Sequence, residues 1–149
     1  MSVNATRMLQ FYQHFGKFYT RRFALLSEET GLSSRELQVL LFLANNPGYD
    51  TARDITILRG ISKSQVSQAV DLLCAEGLLE RTPDTSDRRI IHLSITEDGL
   101  PVTRQAQAIQ DACLAQLLAG FSAEEALQLM TLVERVLDNA EVLAGEAEG

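Results

Sequence analysis

The sequence predicts a mainly α fold with a single two-stranded β wing: a winged helix-turn-helix flanked by long N- and C-terminal dimerisation helices. Two observations carry this. Apolar residues recur at helical spacing through most of the chain, in segments opened by Ser or Thr with an acid or amide three residues later and closed by glycine or Asn-Pro-Gly. After Leu78 the period drops from 3.6 to 2 for one short stretch before the helical pattern resumes.

The first element is read from "TRMLQFYQHFGKFYTRRFALLSEETG", which lacks proline and carries Leu9, Phe11, Tyr12, Phe15, Phe18, Tyr19, Phe23, Leu25 and Leu26. A long helix buried on much of its surface is expected there. Ser33 with Glu36 opens "SSRELQVLLFLANN", which Asn45, Asn46, Pro47 and Gly48 end. Thr51 with Asp54, a weaker version of the signal, opens "TARDITIL", which stops at Gly60; Ser62 with Gln65 opens "SKSQVSQAVDLLCAEG", with Gly77 just past its end. In each such box the hydroxyl accepts from the third helical amide while the acid or amide reaches back to the cap amide. "LLERT" then pairs with a strand in which Ile91, Leu93 and Ile95 alternate with His92, Ser94 and Thr96, around a tip at Pro83 to Arg88. Helical spacing returns from Glu97 to about Leu118, Gly120 breaks it, and Ser122 with Glu125 opens a last helix to roughly Leu143. One domain is expected over residues 1–149, with a winged-helix lobe at about 33–99 and dimerisation helices at about 4–30 and 97–145.

Three short helices followed at once by a hairpin is the layout in which the second and third short helices read DNA and the hairpin is the wing. Gly60 sits where the turn between them needs positive φ, and Ile55, Leu58 and Ile61 are placed to seal the angle. A rotation of about 100° per residue sets Val66, Ala69, Val70 and Leu73 on one side of the helix after Ser62 and Ser64, Gln68, Asp71 and Ala75 on the other. Short hydrogen-bonding side chains suit base edges in the major groove, and capped amides beside Lys63 suit a phosphate. Ser62, Lys63, Ser64, Gln65, Ser67 and Gln68 are therefore the candidate contacts to double-stranded DNA. In isolation such a face is more often simply solvated; the turn before it and the wing after it reverse that weighting. Asp71 must face a cytosine, reach a basic neighbour or stay outside the groove.

Arg88 and Arg89 stand side by side at the wing tip, where ordinary surface ion pairing contributes little. The focused negative potential of a narrow minor groove suits a weakly hydrated guanidinium better. Alternation along the strand favours Arg89 as the inserted residue and leaves Arg88 facing phosphate or paired. Asp84 and Asp87 would act within the wing, Asp87 by bonding turn amides or orienting an arginine.

The formal charge is −7, but residues 1–96 hold 11 Lys+Arg against 10 Asp+Glu and residues 97–149 hold 2 against 10. The acidity thus belongs to the last third and does not exclude nucleic acid. With no basic-then-apolar leader and no run of 18 apolar residues, a soluble, cytoplasmic chain without a membrane partner is expected. Cys74 and Cys113 lie far apart, with His14 and His92 the only histidines, so neither a disulfide framework nor metal-ligand spacing arises and no cofactor is expected. GxGxxG, P-loop, HExxH and GxSxG motifs are absent, which argues against an enzyme.

At the wing, "DRRIIHLSITEDG" resembles the motif of the MarR (multiple antibiotic resistance regulator) family, D-x-R followed by a strand ending in L-T-x-x-G. Asp87, Arg89, Thr96 and Gly99 match, and Ile95 stands where Leu is usual. The resemblance extends to helix order and length. It implies a homodimeric transcription regulator whose first, fifth and sixth helices form the dimer interface, whose fourth helix enters the major groove, whose Arg89 enters the minor groove and whose Asp87 steadies the wing. The fourth helix departs from a strongly basic reading surface, with Lys63 its only cation before Arg81.

Dimerisation has a second warrant: "LQLMTLVERVLDNAEVL" is too apolar to be left to solvent, and two-fold symmetry would place two reading helices one DNA turn apart on a pseudo-palindromic site. The resemblance further implies a repressor that responds to a small effector or to cysteine oxidation. Phe11, Tyr12, Phe15 and Tyr19 are the candidate lining of a pocket for an apolar or phenolic effector, weighed against plain core packing. The competing reading is a winged-helix protein-interaction module without DNA binding, which the sparse basic face and acidic tail favour and the arginine tip opposes.

Overall fold

The computed structural model describes residues 4–147, with no side-chain description at Ala147. Six helices and one hairpin follow in the order α1 (Ala5–Thr30), α2 (Ser34–Asn45), α3 (Ala52–Arg59), α4 (Lys63–Ala75), β1 (Leu79–Pro83), β2 (Ile91–Ile95), α5 (Leu100–Leu117) and α6 (Ala123–Ala147). Residues 1–113 and 114–149 form two compact units. The first contains the winged-helix lobe and its core; the second consists of the end of α5 and α6.

The caps behave unequally. Thr51 and Asp54 form a complete capping box, with the Asp54 amide donating to Thr51 Oγ1 at 3.1 Å and the Thr51 amide to Asp54 Oδ2 at 3.0 Å. Ser122 and Glu125 reciprocate in the same way. At Ser62 the hydroxyl accepts from the Gln65 amide at 3.3 Å, without the return bond. Ser33 makes no side-chain cap hydrogen bond, contrary to expectation, and Glu36, which would supply the return bond, is turned inward and only 7% exposed. Its buried Oε2 has no hydrogen-bond partner among the described residues.

The core of the lobe is the meeting of α2, α3 and α4 with the base of the hairpin. Leu37, Leu40, Ile55, Val66 and Leu73 are fully buried there, with Ala69, Val70, Leu79 and Leu93 around them. The four α4 residues expected inward are the four buried on that helix. Leu58 does not seal the α3–α4 angle as expected: it is 54% exposed, and Ile55 and Ile61 close the corner without it. An eight-residue α3 presents only one narrow stripe inward, which Ile55 fills.

The strands pair antiparallel in the register Leu79↔Ile95, Arg81↔Leu93 and Pro83↔Ile91, so β1 extends through Pro83 and the tip is residues 84–90. α5 begins at Leu100 rather than Glu97, because residues 96–99 form a turn. Thr96 Oγ1 donates to the Gly77 carbonyl at 2.6 Å, and the Gly99 amide donates to Thr96 Oγ1 at 3.1 Å. Gly99 has no room for a side chain: a Cβ there would lie 2.3 Å from the Leu78 carbonyl oxygen.

α1 departs from its expected burial. Only Phe23 and Leu26 are buried within the chain, while Met8, Leu9, Phe11, Tyr12 and Leu25 are exposed. Its helical spacing reflects apolar faces that this single chain leaves uncovered. None of the described residues of α6 is buried within the chain, and Leu127, Leu132, Val136, Leu137 and Val142 are exposed along it. No described helix is long and apolar enough to cross a membrane.

Candidate nucleic-acid interface

α4 is held by its inward stripe, and that fixes what it presents outward. Ser62, Lys63, Ser64, Gln65, Ser67 and Gln68 are all exposed, so the structure brings the six candidate contacts together over the first two turns of one helix. Ser62 Oγ and Ser64 Oγ lie 3.4 Å apart at its N-terminus. Gly60 makes the preceding turn in the left-handed region at φ 62°. Asp71 reaches a basic neighbour: it pairs with Arg81 of β1, which neutralises the one acid on the outer face of α4.

The sequence reading missed Arg35. In the first turn of α2, it lines a cleft with Ser33, Gln65 and Gln68 and donates to Gln38 Oε1 at 3.2 Å. This adds a cation beside a helix that carries few. Its signal was a basic residue in the first turn of a neighbouring helix, visible only once α2 and α4 are known to pack together.

At the wing tip, the Arg89 guanidinium donates from Nε and Nη2 to the two carboxylate oxygens of Asp87, each at 3.1 Å, and the Arg89 amide donates to the same carboxylate. The guanidinium bonds hold the Asp87 carboxyl below its ordinary range, and in return the carboxylate raises Arg89 further above its own. Arg89 remains 91% exposed. Two of its five N–H donors are thus engaged and the rest point outward on a planar, oriented group. Arg88 is exposed and makes no ion pair among the described residues.

Asp84 organises the rest of the tip. Its Oδ2 accepts from the amides of Ser86 and Asp87, each at 3.0 Å, and its own amide donates to the Ile90 carbonyl. Its Oδ1 is 2.8 Å from His92 Nε2, while His92 Nδ1 is 2.8 Å from Asp50 Oδ1. The His92 bond, with the two amides, lowers the Asp84 carboxyl to about 2. His92 is shifted upward by Asp50 first and Asp84 second. The sequence offered His92 only as a lone histidine; its partners lie 42 and 8 residues away, and strand pairing brings them together. Among the described residues no group of three His, Cys, Asp or Glu side chains could hold a metal ion.

The four aromatic residues considered for an effector pocket do not converge. Tyr19 lines a cavity of about 140 Å³ between α1 and α2, together with Phe23, Ser27, Ser34, Leu37 and Gln38. Phe11, Tyr12 and Phe15 lie outside it, in a row of ring contacts along α1 in which Phe11 stacks on Phe15 with centroids 5.8 Å apart. Burial raises the Tyr19 hydroxyl above its ordinary value. That oxygen accepts from Gln110 Nε2 at 2.7 Å, Gln110 Oε1 accepts from Asn45 Nδ2 at 2.8 Å, and Asn45 Oδ1 accepts from Gln107 Nε2 at 3.0 Å.

Residues 30–90 match the model of the MarR family. The fold is similar to a MarR transcriptional regulator from Methanosarcina mazei Go1, at 18% identity over 93% of this chain and 99% of that one, with TM-score 0.77. It is similar also to a MarR-family transcriptional regulator from Silicibacter pomeroyi, at 21% identity over 91% and 89% of the two chains and TM-score 0.74. A third likeness is to BpsR of Bordetella bronchiseptica, whose DNA binding is regulated by 6-hydroxynicotinic acid, at 18% identity over 87% and 98% and TM-score 0.65. The matched lobe, the D-x-R wing whose two charged side chains are paired, and the shared fold lead to one conclusion: over residues 30–90 the chain is similar to the MarR family, and over most of its length it has the fold of the MarR-family structures.

Proposed function

We propose that the protein is a sequence-specific, double-stranded-DNA-binding repressor that acts as a homodimer in the cytoplasm on a pseudo-palindromic operator. The observation that carries this reading is the pairing of an exposed Ser/Gln face on α4 with an arginine fixed at the tip of the wing. Ser62, Lys63, Ser64, Gln65, Ser67 and Gln68 read the major groove and its flanking phosphates. Arg89, oriented by Asp87, enters the minor groove, and Arg88 meets the backbone. The apolar residues exposed on α1 and on α6 support a second copy as their partner. A small apolar or phenolic effector at the Tyr19 cavity would release the DNA, a reading supported by the cavity beside α2 and by the behaviour of BpsR. The chemistry is binding rather than catalysis.

The test is fluorescence-anisotropy titration of a duplex from upstream of the chain's own gene against a scrambled duplex, at two salt concentrations, for the wild type and Arg89→Ala. Preference for the first duplex, a steep salt dependence and a loss on the order of ten- to a hundredfold in the variant are expected. Equal weak binding to both duplexes, unchanged in Arg89→Ala, would refute the reading and favour a protein-interaction module.

A further inference from the structure

We infer that His92 is a positioning residue for the wing: its imidazolium ties the wing tip to the start of α3, and DNA is held most tightly while that ring is protonated. The inference rests on the DNA-binding reading above. Both ring nitrogens face a carboxylate oxygen at 2.8 Å, Asp50 on one side and Asp84 on the other. A neutral imidazole has one N–H and one lone pair, so it can donate to only one of them and must turn its lone pair on the other. Only the imidazolium satisfies both.

Each aspartate is anchored to a different part of the DNA-binding lobe. Asp84 Oδ2 accepts from the Ser86 and Asp87 amides, and Asp87 in turn holds Arg89. Asp50 immediately precedes Thr51, the cap of α3, and its carbonyl accepts from the Leu93 amide at 2.7 Å. A single proton on His92 therefore joins the segment that aims Arg89 to the segment that begins the helix-turn-helix. Among the described residues, these two aspartates are the charged groups on the ring; Thr82 lies opposite on β1.

The sign follows from the shift. Because both partners raise the folded-state value of His92, the clamp is complete below the ordinary histidine value of about 6.5 and is lost as pH rises through the raised one. Asp84, lowered to about 2, stays ionised across that window.

The experiment measures affinity of the full chain for the upstream duplex from pH 5.5 to 9 at constant ionic strength, for the wild type, His92→Gln and His14→Gln. In parallel, NMR follows the His92 ring and the Ser86 and Asp87 amides. Wild type and His14→Gln should lose on the order of five- to tenfold in affinity as pH rises, while His92→Gln stays flat near the high-pH level. A His92→Gln profile that falls like the wild type overturns the inference. So does a His92 midpoint at or below about 6.5, or wing amides that do not move with it. Absence of duplex binding at every pH would overturn the DNA reading itself, and the NMR curves would still decide whether the clamp exists.

Discussion

Gly99→Ala should destabilise the protein although the change adds one methyl group and Gly99 needs no left-handed backbone. The added Cβ would sit 2.3 Å from the Leu78 carbonyl oxygen and 2.9 Å from Ile95 Cγ2, far inside van der Waals contact. The first neighbour is backbone, so it cannot rotate away. That carbonyl accepts the Thr96 amide at 3.0 Å, and the Gly99 amide is itself held by Thr96. Displacing the carbonyl combines an overpacking cost of about 1–3 kcal/mol with a weakened backbone bond of about 0.5–1.5 kcal/mol. A total near 2–4 kcal/mol lowers a urea midpoint by roughly 1–2 M at ordinary slopes. Gly31→Ala is the comparison: φ is 72° with open space at the Cβ, so only the left-handed strain of about 1–2 kcal/mol applies. The assay is urea unfolding by circular dichroism, all proteins at one concentration because association shifts apparent stability. A Gly99→Ala midpoint equal to the wild type would refute the steric argument, and a smaller loss than in Gly31→Ala would refute the ordering.

Three further outcomes follow from the same geometry. Arg89→Ala should leave the unfolding midpoint within error of the wild type, since its side chain is almost wholly exposed, while removing duplex preference in the anisotropy assay. The wing-tip turn should survive acid well: with Asp84 lowered to about 2, its contribution is complete above the ordinary carboxylate value and fades only as pH falls through about 2. Loss of the Ser86 and Asp87 amide shifts near pH 4 would contradict that. Val136→Glu should shift sedimentation from dimer to monomer while the helical circular dichroism persists, because Val136 is exposed on α6 within the chain; an unchanged dimer would move the interface elsewhere.

Local signals made most of the fold legible. The inward stripe of α4 follows directly from a 100° rotation per residue, and Gly60 from the positive φ its turn requires. The caps were legible as positions but not as bonds, since whether Glu36 reaches back to Ser33 depends on what buries it from other elements. The same limit applies at the site. Arg89 and Asp87 are two residues apart and could be paired from spacing, whereas Asp50 and Asp84 meet at His92 only through the register of the hairpin and the loop before α3. The row Phe11, Phe15, Tyr19 and Phe23 has helical spacing whether it lines a cavity, a core or an interface, so periodicity could not divide its members among those roles.

The amide series on α1, α2 and α5 has a direction. Gln107 donates to Asn45, Asn45 to Gln110, and Gln110 to the Tyr19 oxygen, each side chain passing its acceptor backwards and its donor onwards. Turning the Asn45 amide over alone would set donor against donor at Gln107 and acceptor against acceptor at Gln110, and turning either glutamine alone would set like against like at Asn45, so the three rotate together or not at all. An axial slip of one helix by a turn, about 5.4 Å, would break the whole series rather than lengthen it. The three helices are therefore indexed against one another like teeth in a rack, with only discrete settings available to any motion that passes through Tyr19.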